Sequence, residues 1–135
     1  MHIIEWTDDL SVGIKSIDDE HKELIRLINK LGEAMDKGHG NQVIHSILDE
    51  LVEYTMTHFA HEEEYLKKYN YPDFDKHQIE HELLYNKVSD LNEDLDDGDP
   101  NVVFAVFDFL DTWIKTHIQK VDKMYSKFLI EKGVV

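Results

Sequence analysis

The chain has 135 residues, and its 14 Lys and Arg against 29 Asp and Glu give a formal net charge of −15. Proteins bind nucleic acids chiefly through Lys and Arg, and a surface this acidic repels phosphate, so nucleic acid is excluded as a partner. The length and a composition of 41% hydrophobic and 32% charged residues predict that residues 1–135 form a single globular domain.

The chain contains no cysteine, which excludes disulfides, thiolate metal sites and iron–sulfur clusters. Any metal must therefore be bound by His and carboxylate side chains, and the chain has nine histidines. The N-terminus lacks a basic stretch followed by an apolar run, and no segment approaches 18 consecutive apolar residues. We expect a cytoplasmic protein that does not insert into a membrane.

Glycine and proline are scarce and divide the chain into periodic segments. We predict an arm over residues 1–17, followed by helices over approximately 18–37, 41–69, 73–95 and 100–131. Long helices joined by short breaks are typical of bundles. The predicted fold class is therefore all-α, an antiparallel up-down-up-down four-helix bundle with an N-terminal arm.

Each predicted helix carries an apolar stripe with a spacing of three and four residues, as expected for a face turned toward a core. Six stripe positions are polar instead: His21, His58, Glu62, His77, His81 and His117. A single buried histidine is usually bonded to a carbonyl group. Six such groups, with at least one on every helix, indicate that they converge on a common ligand, because each is costly to bury without a partner.

The spacing within two helices supports convergence. His58 and Glu62 are four residues apart, as are His77 and His81, so each pair projects from one helix face. In an antiparallel bundle His21, early in the first helix, lies level with His58, late in the second.

The second half of the chain repeats this arrangement, because His77 and His81 begin the third predicted helix and His117 lies late in the fourth. Asp122 follows His117 by five residues, about 140° round an α-helix, and can reach the same centre from one side.

Five imidazoles and two carboxylates are more donors than one ion takes, which is about four to six, so we expect two ions bridged by the carboxylates. Donor type alone fits iron, manganese, zinc or copper.

Over nearly its whole length the chain resembles the hemerythrin family, and in particular the single-domain bacterial hemerythrins. The matching segments are Asp18-Asp19-Glu20-His21-Lys22-Glu23-Leu24, His58-Phe59-Ala60-His61-Glu62-Glu63, Tyr71 through His81, and Trp113 through Asp122. All seven of the family's ligand positions hold the expected residue type.

The resemblance implies a non-haem di-iron centre, hydroxo- or oxo-bridged, that binds O2 reversibly and is not an enzyme. Carried over by position, His77, His81 and His117 would bind one iron, His21 and His58 the second, and Glu62 and Asp122 would bridge them. The second iron would be one ligand short, and O2 would bind there end-on as hydroperoxide. NO, peroxide and small anions are further candidates for this position, and the oligomeric state, with a monomer among the options, is left open.

Charge counting favours a carrier over an oxygenase. Two ferrous ions contribute +4, and two carboxylates with one hydroxide contribute −3, so the cluster carries about +1; additional carboxylates would stabilise high-valent iron better. A ferritin-like site would need two Glu-x-x-His motifs, whereas the nearest match is a single Asp18-x-x-His21.

Large apolar residues beside the ligand positions are expected to make a dry pocket near the open iron: Phe59, Trp113, Ile114 and Ile118. His61 points about 60° away from His58 on the predicted helix, so we expect it to be exposed or to hydrogen-bond a ligand rather than bind metal.

The sequence leaves three functional hypotheses. The first is an O2-binding protein acting as carrier, store or sensor module, the second is a di-iron scavenger or reductase of NO or peroxide, and the third is a module that binds or delivers iron.

Overall fold

The structure, a computed structural model, describes residues 4–38, 41–96 and 102–134. The described residues are helical, with no β-strand among them, and form the predicted four-helix bundle. The helices are α1 Lys15–Asp36, α2 Asn41–Lys68, α3 Phe74–Asp96, α4 Val102–Thr116 and α5 Lys123–Glu131, with a π-helical segment at His117–Asp122 between the last two and a short 3-10 turn at Asp8–Leu10.

The bundle has four rods: α1, α2, α3, and a fourth made of α4, the π-helical segment and α5. They pack as a ring in which α1 contacts α2 and α4, and α3 contacts α2 and α4. The core is built from the predicted apolar stripes, with Leu24, Leu31, Leu48 and Leu110 almost fully buried. Burial of these stripes is the main source of stability, because the hydrophobic effect scales with the apolar area removed from water. None of the helices in the described ranges is long and apolar enough to cross a membrane.

The arm is shorter than predicted, because α1 begins at Lys15 rather than at residue 18. Ile14 and Ile17 are fully buried, so the apolar face of α1 extends to its first turn. Asp18 binds the arm: its carboxylate accepts hydrogen bonds from the Ser11 hydroxyl at 2.6 Å and the Val12 amide at 2.8 Å. This side chain fixes the angle at which the arm enters the bundle.

The prediction of one continuous fourth helix over 100–131 was wrong in one respect. The rod is interrupted by the π-helical segment His117–Asp122, which separates α4 from α5. The predicted start at residue 100 lies outside the described residues. Within them the helix begins at Val102.

Gly13 is required by the backbone just before α1. Its φ is +78°, in the left-handed region that glycine adopts without a steric penalty. A Cβ there would lie 2.9 Å from the Cδ1 atom of Ile130, a flexible side-chain end. We expect Gly13→Ala to lower the free energy of unfolding by about 1–2 kcal/mol, measured by urea denaturation.

Gly38→Ala is the matched control. Gly38 has φ +69° but no described atom within 4 Å of its added Cβ, so it carries the backbone strain alone. We expect Gly13→Ala to cost at least as much as Gly38→Ala; a Gly13→Ala protein as stable as the parent would contradict this.

Candidate metal centre

All seven candidate ligands lie inside the bundle. Each of them is at most 4% exposed, although all are polar or charged. The rings of His21 and His58 are 4.7 Å apart between centroids, as expected for equal levels on the antiparallel helices α1 and α2. On the other side His117 lies 5.7 Å from His77 and 5.6 Å from His81 between ring centroids.

The π-helical segment explains how Asp122 reaches the site. In an α-helix Asp122 would lie about 140° round the axis from His117. A π-helix has more residues per turn, so residue i+5 lies much closer to the face of residue i. His117 and Asp122 are the first and last residues of the segment. His117 Nε2 accordingly lies 3.0 Å from Asp122 Oδ1.

The donor atoms form two groups that could each hold a metal ion. Within each group they lie within 4.8 Å of one another: one contains Glu62, His77, His81 and His117, and the other contains His21, His58, Glu62 and Asp122. Glu62 belongs to both groups.

The two oxygens of Glu62 face different groups of histidines. Oε1 lies 2.6 Å from His58 Nε2 and 3.2 Å from His21 Nε2. Oε2 lies 3.2 Å from the Nε2 atoms of both His77 and His81. The carboxylate therefore spans the space between α1 and α2 on one side and α3 on the other.

Asp122 divides its oxygens in the same way. Oδ2 lies 3.0 Å from His21 Nε2, whereas Oδ1 lies 3.0 Å from His117 Nε2 and 3.8 Å from His77 Nε2. Each carboxylate thus turns one oxygen toward each group of imidazoles, which is the arrangement that a bridging ligand requires.

The donor set fits a pair of first-row metal ions. Two donors about 2.1 Å from one ion and at right angles to each other are about 3 Å apart, close to most of the separations above. Several facing atoms lack hydrogen-bond geometry: His81 Nε2, His117 Nε2 and both oxygens of Asp122 are buried without a hydrogen-bond partner among the described residues. Ions between them would satisfy these atoms.

In the polypeptide without metal, the imidazoles form ion pairs with the carboxylates of Glu62 and Asp122. Burial would lower the pKa of His58, but the charge of Glu62 and hydrogen bonds to Glu20 and Glu62 outweigh it and raise the pKa to about 10. Burial and the charge of Glu62 oppose ionisation of Asp122, yet His117 and His21 bring its pKa down to about 2. The pKa of Glu62 is likewise well below its ordinary value, because contacts with His58, His21 and His77 outweigh the effect of burial. Both carboxylates are therefore ionised, as metal ligands must be.

His61 is not part of either group of donor atoms. Its Nδ1 contacts Glu20, and its side chain is 35% exposed. The contact is with Glu20, which itself bonds the candidate ligand His58, rather than with a candidate ligand directly. That His61 does not bind metal stays a prediction.

Sequence reasoning missed Tyr125. Its side chain is fully buried, its ring centroid is 5.2 Å from that of His77, and its hydroxyl makes no hydrogen bond within the described part of the chain. Burial and the charges of Asp122 and Glu62 raise its pKa well above the ordinary value, so it stays a neutral phenol. Its position three residues after Asp122 was the available signal, since i and i+3 share a helix face.

Aromatic rings cover the imidazoles on the α2 and α4 sides. Phe59 stacks on His81 with ring centroids 3.7 Å apart, and Trp113 stacks on His117 at 4.7 Å. Ile114 and Ile118 are almost fully buried. The apolar surroundings predicted for the site are therefore present, with Phe59 and Trp113 in direct contact with ligand rings.

A small apolar cavity lies about one helical turn from the imidazoles. Its volume is about 20 Å³, and its wall includes Leu24, Thr55, Leu84 and Trp113, each three or four residues from a candidate ligand on its own helix. The Thr55 hydroxyl donates its proton to the carbonyl oxygen of Leu51 at 2.7 Å, so it has no further proton to donate toward the cavity. A cavity of this size has room for one small molecule, and its apolar wall offers water few hydrogen-bond partners.

Comparison with known proteins agrees with this geometry. Residues 12–129 match the family model of the hemerythrin HHE cation binding domain. The chain is 32% identical to a bacteriohemerythrin of Methylococcus capsulatus (strain Bath), over 96% of this chain and 98% of that protein. It is 34% identical to a bacteriohemerythrin of Clostridium acetobutylicum, over 89% of this chain and 96% of the relative.

Solved structures show the same fold. The crystal structure of a wild-type hemerythrin superposes with a TM-score of 0.87 at 32% identity, covering 95% of this chain and 98% of that one.

Proposed function

The chain belongs to the hemerythrin family, and from that premise we propose that it binds O2 reversibly at two iron ions held inside its bundle. The cofactor of this family is a di-iron centre, and bacteriohemerythrins and hemerythrins are oxygen-binding proteins rather than enzymes. When bound, the two irons supply an open coordination position and the two electrons that a reversible reaction with O2 requires.

The observation that carries the proposal is the division of each carboxylate between the two groups of imidazoles. It supports assigning His77, His81 and His117 to one iron, His21 and His58 to the other, and Glu62 and Asp122 to both. The first iron then has five protein donors and the second has four. On this assignment the second iron would be held by fewer protein donors than the first, and it would be the one with room for a further ligand.

The residues around the ions favour binding over further chemistry. Five neutral imidazoles and only two carboxylates give the cluster little negative charge, which does not favour high-valent iron. The stacked Phe59 and Trp113 and the small apolar cavity beside Leu24 and Leu84 give the site largely apolar surroundings on these sides. A neutral gas enters such surroundings at lower cost than a hydrated anion does.

Finer expectations remain predictions. They are end-on binding of O2 as hydroperoxide, a role in transport, storage or sensing, a single domain in the cytoplasm, and binding of NO, peroxide or small anions at the same position. The oligomeric state is left open, with a monomer among the options.

The test is to reduce the iron-loaded protein anaerobically, add O2, and record the visible spectrum. We expect a new absorption band that disappears when O2 is removed and returns when it is added again. Irreversible bleaching without such a band would contradict reversible binding. Sustained consumption of NO or peroxide with a physiological reductant would favour a scavenger, and ready loss and exchange of iron would favour a delivery module.

A further inference from the structure

The carboxylate of Glu20 joins two histidines of α2. Its Oε1 lies 2.8 Å from Nδ1 of His58, and its Oε2 contacts Nδ1 of His61. Glu20 is on α1, next in sequence to His21, so this contact ties α1 to α2 at the level of the candidate metal centre. The Glu20 side chain is 19% exposed, whereas His58 is 1% exposed.

An acceptor at Nδ1 determines what the other ring nitrogen can do. Glu20 is a carboxylate and accepts the Nδ1 proton of His58, which leaves the lone pair of Nε2 for a metal ion. That Nε2 atom faces Glu62 Oε1 at 2.6 Å, on the side of the centre shared with His21. The same hydrogen bond restricts the rotation of the ring, because it ties Nδ1 of His58 to a side chain on α1.

The other imidazole on this side has no comparable support. Nδ1 of His21 is buried without a hydrogen-bond partner among the described residues. Among the described residues, His58 is thus the imidazole of this pair that is held from its Nδ1 side, and Glu20 holds it.

We propose that Glu20 is the positioning residue for the iron bound by His21 and His58, and that His61 in turn holds the Glu20 carboxylate in place. This inference rests on the proposed function, because it concerns the iron that has the open position. Loss of such a supporting partner typically weakens metal binding about 10- to 100-fold. Removing Glu20 should thus weaken the binding of one of the two ions and leave the affinity for the other unchanged.

The experiment is an anaerobic titration of the full-length, metal-free chain with Fe(II) in competition with a chelator, which resolves two binding steps. We expect Glu20→Ala to weaken one step about 10- to 100-fold and to leave the second at the parent value. Glu20→Gln retains an acceptor oxygen for His58 and should lose less than Glu20→Ala. His61→Ala removes only the outer support and should still bind two irons at saturating Fe(II).

Glu23→Ala is the matched control on the same helix. Glu23 bonds only to Arg26 in its described contacts, with a partly exposed side chain, so both steps should be unchanged. Thermal unfolding of the metal-free proteins by circular dichroism separates positioning from folding. Metal-free Glu20→Ala loses the contact with His58 and should melt somewhat below the parent, but it should still unfold in one cooperative transition.

The outcomes separate this inference from the proposed function. If the parent binds two irons and Glu20→Ala binds both with the same affinities as the parent, the positioning role of Glu20 is overturned and the proposed function is not. Equal weakening of both steps, with a large loss of stability in the metal-free variant, would overturn it in favour of a structural role. Parent protein that does not bind two irons would overturn both proposals, and loss of iron in His61→Ala as large as in His58→Ala would contradict the assigned helix face.

Discussion

Replacing Glu62 with Ala is expected to reduce the iron content from two ions per chain to one or none. Glu62 is 1% exposed, and its oxygens lie within 3.2 Å of Nε2 atoms from four histidines, His21, His58, His77 and His81. Its loss removes one donor from each proposed iron and leaves excess positive charge in a buried site, which is costly. Iron per chain, measured by elemental analysis after gel filtration, checks this prediction.

Glu64→Ala is the matched control, since Glu64 is on the same helix but exposed. It should retain two irons. Asp122→Ala should behave like Glu62→Ala, because Asp122 also faces both groups of imidazoles. Two irons per chain in either of these buried variants would show that the carboxylate does not bridge.

Removing the iron is expected to lower the melting temperature of the bundle by roughly 10 °C. A ligand that binds only the folded state stabilises it by about 2.7 kcal/mol at a concentration 100 times its dissociation constant, and a domain of this size changes its melting temperature by several degrees per kcal/mol. In the chain without iron several buried polar atoms of His21, His117 and Asp122 make no hydrogen bond among the described residues. Thermal unfolding of matched metal-free and iron-loaded samples checks this.

Adding Fe(II) back to the metal-free protein should restore the higher melting temperature. Mg²⁺ or Ca²⁺ should not, because these ions prefer all-oxygen sites and the centre is mainly imidazole. Equal melting of the metal-free and iron-loaded forms would mean that the metal does not support the fold.

The sequence was sufficient to predict the bundle and the residues that meet inside it. We could predict that His58 shares a helix face with Glu62, and His77 with His81, because α-helical geometry places residues i and i+4 on one face whatever lies around them. The level of His21 against His58 followed from the antiparallel order of helices with short connections. These inferences depend on local geometry, which the sequence determines directly.

The backbone between His117 and Asp122 could not be predicted in the same way. The spacing of five does not fit an α-helix, and the expected rotation of about 140° left Asp122 at the side of the site. The π-helical segment turns Asp122 toward the imidazole of His117. Such segments are rare and often occur at functional sites, so the misfit was itself the signal.

Contacts between distant side chains were also beyond the sequence. Glu20 is one of many acidic residues, and only the packing of α1 against α2 shows that it lies between His58 and His61. The wall of the apolar cavity likewise combines residues from four helices, and of the predicted pocket residues only Trp113 lines it. Side-chain rotamers and helix rotation decide these contacts, and neither is encoded in spacing alone.

The stoichiometry of O2 uptake tests the central claim most directly, when iron per chain and O2 bound per chain are determined on one reduced sample. We expect two irons and one reversibly bound O2 per chain, because in the proposed centre Glu62 and Asp122 would hold two irons and only one of them would have room for a further ligand. One O2 per iron, or a single iron per chain, would contradict the account.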